Sequence, residues 1–338
     1  MKNIFLLTLA IAFLAASVFA DDAQFLKYIG KPNLPGSGKN IVLVSGDEEY
    51  RSEEMVVQLG RILAEHHGFN CTVLFAINPQ TGFIDPVILD NIPGLESLKT
   101  ADAALFALRF RNLPDEQMQY IDDYLKSGKP VLGIRTSTHA FKIPKDRKFA
   151  HYDGGYNGDK SGWKQGFGRL VLGETWISHH GSHGKEATRG VIAPGQENNP
   201  LVRGCTDIFG PTDVYEVRLP LPDDAKPLIL GQVLETMEKD SKPVSGKKND
   251  PMMPIAWTKT YKIADDAAAG KAYCSTIGSS QDFQSEGVRR LLVNAIYYLS
   301  GLEDKIPAKA EVGIVGDFEP LPMGFGKFKK EQKPKDVK

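Results

Sequence analysis

Four short apolar runs limit what this chain can fold into. "NIVLVSG" (40–46), "NCTVLFAI" (70–77), "ADAALFALRF" (101–110) and "KPVLGIRT" (129–136) are too short for buried helices and too uniformly apolar for strands with one wet face. They read as strands covered on both sides. Between the first two lies "SEEMVVQLGRILAEHHG", where Met55, Leu59, Ile62 and Leu63 share one helical face, Ser52 suits the N-cap and Gly68 the C-cap. Between the last two, "PDEQMQYIDDYLKSG" is a second amphipathic helix with Pro114 at its first turn. Strand, helix, strand, strand, helix, strand with short connections predicts a doubly wound, mostly parallel α/β sheet with helices on both faces.

The remaining pattern is looser. Strand-like runs return at "DVYEVRL" (213–219), "KPLILGQVL" (226–234), "MPIAWTKTY" (253–261) and "KAYCSTIG" (271–278), and "EGVRRLLVNAIYYLSG" (286–301) is a closing helix. "EKDSKPVSGKKNDP" (238–251) reads as a solvated hairpin loop, and 142–210 as long Gly- and aromatic-rich loops. The expected organisation is a signal peptide over 1–20, an N-terminal extension over 21–38, one α/β domain over 39–305, and a Pro/Gly/Lys-rich tail over 306–338 without fixed structure. Lys2, the apolar run from Ile4 and the Val18-Phe19-Ala20 step carry the signal reading, which predicts a secreted or periplasmic protein. No second long apolar run follows, so no integral membrane segment is expected after its removal. With Lys+Arg 41 against Asp+Glu 42, there is no electrostatic reason to expect nucleic acid as a partner. The three cysteines match no metal knuckle. Cys71 and Cys274 lie in apolar runs as small buried hydrophobes, and a Cys205–Cys274 disulfide stays open.

In an open parallel sheet, ligands bind beyond the carboxyl ends of the strands. Asp47, Glu48, Glu49 and Arg51 follow the first strand, Arg109 and Arg111 the third, Arg135 and His139 the fourth. Such a rim suits a substrate rich in oxygen acceptors, with Asp47, Glu49, Arg51, Arg109, Arg111 and Arg135 as contacts and Glu48 and His139 as acid/base candidates. The first loop lacks both G-x-G-x-x-G and Walker glycines, which argues against a nucleotide. "GIRTSTHAF" (133–141) stands where a nucleophile elbow would, yet it has no Cys, and Ser137 has no flanking glycines. Covalent glutaminase chemistry is thereby excluded. "ETWISHHGSHGKE" (174–186) holds His179, His180 and His183 without an H-E-x-x-H spacing, and Gly173, Gly181 and Gly184 disfavour a helix. His180 and His183 are candidates either for proton transfer or for a divalent metal completed by His139 or a carboxylate; both roles stay open. Trp176 and His179 are candidate substrate contacts. His66-His67 read as surface at a helix end, and His151 as part of a Gly/Tyr/Trp stretch that either lines a sugar site or lies in a loop.

Taken in order, several pieces resemble the ThuA-like, or trehalose-utilisation, family. They are "IVLVSGDEEYR", "DYLKSGKPVLGIRTSTHAF", "FGRLVLGETWISHHGSH", "NNPLVRGCTDIFGPTDVYEV", "PIAWTKTY" and "KAYCSTIGSSQDFQSEGVRRLLVNAIYYLSG", spread over most of the chain after residue 40. The resemblance implies a flavodoxin-like sheet of the class I glutamine amidotransferase type and a carbohydrate connection, trehalose-type or oxidised disaccharides included. The family elbow reads G-[IL]-H-A-A-S-D-x-F; here Arg135 stands at its His and His139 at its Asp, while Ser279 replaces the His of a late T-x-G-H. The chain thus resembles a divergent member.

Two functions follow as expectations. One is an exported carbohydrate-processing enzyme (isomerase, lyase or hydrolase) with histidine acid/base chemistry. The other is a non-catalytic module on the same fold that binds a glycan or a protein.

Overall fold

The computed structural model describes residues 24–222 and 224–337. The expected signal peptide lies outside them. In chain order the strands are β1 (Phe25–Tyr28), β2 (Asn40–Gly46), β3 (Asn70–Leu74), β4 (Ala103–Leu108), β5 (Val131–Ile134), β6 (Thr188–Ile192), β7 (Phe209–Gly210), β8 (Lys226–Val233), β9 (Met253–Tyr261) and β10 (Gly270–Ser275). The helices are α1 (Ser52–His67), α2 (Asp115–Lys126) and α3 (Glu286–Leu299). One sheet contains every strand, in the order β1-β3-β2-β4-β5-β10-β9-β8-β6-β7.

The apolar runs occupy its parallel centre, β3-β2-β4-β5-β10, where strand order reverses between β2 and β4. Alternation decides what each side chain covers. Ile41 and Leu43 of β2 join Met55, Leu59 and Ile62 of α1 and Val288, Leu291 and Leu292 of α3. Val42 and Val44 point the other way, to Met118, Ile121 and Leu125 of α2. Both faces of each central strand are therefore dry, as uninterrupted apolar runs require.

The sheet is mixed rather than mostly parallel. Five of its nine neighbouring pairs are antiparallel: β1 with β3, and the series β10-β9-β8-β6-β7. For one of these pairs the reason is local: no α-helix forms between Val233 and Met253 to carry the chain across the sheet, and the 238–251 loop returns β9 antiparallel to β8. "DVYEVRL" forms no extended strand. Its carbonyls and amides are taken by the loop before it: His180 and Gly181 N–H donate to the Val214 carbonyl, and Glu216 N–H to Ser178. Val214, Tyr215 and Val217 are buried, which accounts for the strand-like pattern.

The tail corrects its expectation. Ile306, Ala310, Val312 and Phe328 are buried, and Arg61 of α1 donates to the carbonyls of Val315, Asp317 and Val337. His67, expected at the surface, lies beneath the tail with Nδ1 2.9 Å from the Tyr297 hydroxyl and Nε2 2.6 Å from the Glu311 carbonyl. Further on, Gly324 N–H donates to the Glu49 carbonyl at 2.7 Å, so the tail reaches the strand-end rim. Apolar residues spaced between the polar ones were enough to dock it. All three cysteines are free and buried, without a Cys205–Cys274 disulfide. Among the described residues, no helix is long and apolar enough to cross a membrane.

Candidate active site

The loop after β2 is held by its own side chains. Asp47 is buried; its Oδ1 accepts from the N–H groups of Glu49 (2.8 Å) and Tyr50 (3.2 Å), and its Oδ2 from the Thr136 hydroxyl at 2.6 Å. This ties the end of β2 to the turn after β5. Glu48 lies between two guanidiniums, ion-paired with Arg109 and accepting from Arg111 Nη2 at 2.6 Å. Arg111 is completely buried and spends its other N–H groups on the carbonyls of Pro86, Ile88 and Arg109. Arg51, in the left-handed region at φ 55°, is also buried, near Glu53 of α1 and the Phe328 ring of the tail. Arg51 and Arg111 therefore belong to the scaffold rather than to a substrate surface.

Asp213 is the centre of the rim. Its carboxylate is buried, with Oδ2 2.7 Å from His179 Nδ1 and Oδ1 3.0 Å from His183 Nδ1. Arg135 fixes it from behind, Nη2 lying 3.1 Å from Oδ1 and Nη1 2.8 Å from the Asp213 carbonyl. The guanidinium also donates to the Thr276 carbonyl at 2.6 Å and is sandwiched between Tyr50 and Tyr215, 4.4 and 4.1 Å from their ring centroids. Burial works against charge on Asp213, but the hydrogen bonds from His179 and His183 and the Arg135 charge hold its carboxyl well below the usual range. His183 has its pKa raised, first by its hydrogen bond to Asp213. On its far side, Nε2 lies 3.4 Å from Glu49 Oε1, and Glu49 has its own pKa raised by burial. Glu49 Oε2 is 3.3 Å from Arg109 Nε.

Aromatic rings wall this chain of groups. His139 is buried against Phe110, Trp176 and Tyr215, and burial pushes its pKa down to about 3, so it is a neutral ring. Trp176 stands edge-on to His179 at 5.6 Å. Phe325 of the tail, 62% exposed, lies over the Arg109 guanidinium at 5.0 Å. The rings of His179 and His183 face solvent, with side chains 36% and 37% exposed above a buried Asp213.

Of the residues singled out from sequence, Asp47, Glu48, Glu49, Arg109, Arg135, His139, Trp176, His179 and His183 come together here. His180 does not: its Nε2 turns to the Lys248 carbonyl at 2.9 Å, in the β8–β9 loop. The pairing of His180 with His183 as metal ligands is thus corrected to His179 with His183, because neighbours on an extended segment point to opposite sides. His151 lies elsewhere, 2.8 Å from Lys160 Nζ and packed on Trp163. Ser279 is buried and accepts from the Asp282 N–H at 3.1 Å. Sequence reasoning missed Asp213, Tyr50, Tyr215 and Phe325. An acid at the head of the strand-like run "DVYEVRL" was the available signal for Asp213. Among the described residues, His179, His183 and Asp213 form a group able to hold a metal ion, their ligand atoms lying within 4.8 Å of one another.

The fold and site together define an α/β protein with a polar centre at the strand-order switch. No protein-family model matches the sequence, and no curated protein matches it. Among solved structures, the chain is similar to one described as a ThuA-like protein from Bacteroides uniformis, at 14% identity and TM-score 0.47 over 80% of this chain and 94% of that one. It is similar to another so described from Parabacteroides merdae, at 14% identity and TM-score 0.46 over 86% and 98%. An mmIFT52 N-terminal domain is similar at 11% identity and TM-score 0.38 over 78% and 97%.

Proposed function

We propose that the rim is the active centre of an exported carbohydrate-processing enzyme, an isomerase, lyase or hydrolase acting on a disaccharide or keto-sugar. The observation that carries the reading is the continuous series Arg135–Asp213–His179/His183–Glu49, buried at one end and open at the other. A buried carboxylate orienting an exposed imidazole is an arrangement for moving a proton to or from a bound hydroxyl. Glu49 is the second group able to exchange one. Arg109 and Trp176 at the opening suit the mixed polar and apolar faces of a sugar. The motif resemblance to the trehalose-utilisation family supplies the substrate class. Replacing His179 and His183 together by Ala should lower turnover of the responsive sugar by ~10²–10⁴-fold across a panel of disaccharides and keto-sugars. Unchanged turnover would remove these roles. Export is tested by sequencing the N-terminus of protein recovered outside the cytoplasm, expected to begin at Asp21.

A second reading, a non-catalytic glycan-binding module, is favoured by one feature. Arg135 and Ser279 replace two family histidines, and both side chains are spent on internal partners. Saturable sugar binding in calorimetry with no product after long incubation is its signature.

A further inference from the structure

We infer that His179, His183 and Asp213 bind one divalent first-row transition-metal ion, with its open side toward solvent for substrate oxygens. The inference rests on the rim being the reactive centre, and it makes the two imidazoles ligands while leaving proton exchange to Glu49.

The donors are the first argument. Two imidazole nitrogens and one carboxylate oxygen match zinc, manganese, iron or cobalt, and not the all-oxygen shells of calcium or magnesium. Both Nδ1 atoms converge on one carboxylate, at 2.7 and 3.0 Å. Metal bonds of ~2.0–2.2 Å set tetrahedral ligands roughly 3.3 Å apart; the three ligand atoms lie within 4.8 Å of one another, so side-chain shifts on the order of an ångström gather them round one ion.

The surroundings are the second. A metal-binding imidazole commonly hands its other nitrogen to an outer carboxylate, which fixes tautomer and orientation. His183 does this: Nδ1 faces Asp213, and Nε2 faces Glu49 Oε1 at 3.4 Å. Arg135 holds Asp213 through Oδ1 and the backbone carbonyl, leaving Oδ2 with His179 as its partner.

Access is the third. Both rings are more than a third exposed over a buried carboxylate, which leaves coordination positions for water or substrate as in catalytic rather than structural sites. His180, beside them in sequence, is held at the Lys248 carbonyl and serves as an internal control.

The test uses the full chain without a histidine tag, stripped by chelator and titrated with cobalt(II) and zinc(II) by calorimetry and visible absorption. The expected result is one equivalent bound, with cobalt bands in the visible. His179→Ala and His183→Ala, both at exposed positions that spare the fold, should each weaken binding by more than roughly tenfold, Glu49→Gln by about tenfold, and His180→Ala not at all. Absence of one-equivalent binding, or binding equal in His179→Ala, His183→Ala and the parent, overturns the inference. Stripped protein that turns over sugar at full rate also overturns it while sparing the sugar reading. One-equivalent binding that needs both histidines, in a protein inert to every sugar, supports the metal site and defeats the sugar reading.

Discussion

The two halves of the rim use their charges differently. At the parallel strand ends, Glu48, Arg109 and Arg111 satisfy one another, and Arg51 and Arg111 are fully buried. On the antiparallel side, the irregular segment 174–183 presents Trp176, His179 and His183 to solvent above Asp213. The half with regular strands and the richer set of ionisable residues is mostly framework. The irregular segment of the other half supplies the exposed imidazoles. Charge at a strand end is thus a weak sign of function until its partners are known, because a buried ion must be paired.

The sharpest way to break this contrast is Arg111→Ala. It leaves Glu48 short of a partner and three buried carbonyls short of a donor, and should cost ~3–5 kcal/mol in denaturant unfolding. A loss below about 1 kcal/mol would mean the parallel rim is not framework. Solution pH separates the halves next. Burial holds His67, under the tail, at about 4 against an ordinary 6.5, so the unfolded chain takes up its proton first. Stability should therefore fall as pH drops from about 6.5 to about 4, by up to ~3 kcal/mol from this residue, and His67→Ala should flatten the slope. A slope unchanged by that substitution would show the tail undocked in solution. Removing the half-buried aromatic Trp176 (Trp176→Ala) should weaken binding of a responsive sugar by ~1 kcal/mol, read as a higher KM. Smallest of all, His183→Ala should alter unfolding free energy by under about 1 kcal/mol, since its ring is partly exposed; a larger loss would place it in the framework too.

Much of the scaffold was legible. Uninterrupted apolar runs at 40–46 and 103–108 cannot be wet on either face, and a 3.6-residue stripe at 52–67 needs a sheet to lie on. The site was legible by half. The strand-end rule found Asp47, Glu49 and Arg109, but it did not separate His179 from His180, because which of two adjacent rings faces inward depends on the pairing of their segment with 214–216. Nor did it find Asp213, whose importance comes from Arg135, 78 positions away.

Taken alone, the sequence determined the central strands and the three helices, that a parallel core exists, and that polar groups gather at its carboxyl edge, since all of these follow from local periodicity and burial. Tertiary structure decided the mixed sheet, the docked tail and the identity of the central triad. Those depend on contacts between segments far apart in the chain, whose energy has no local pattern to read.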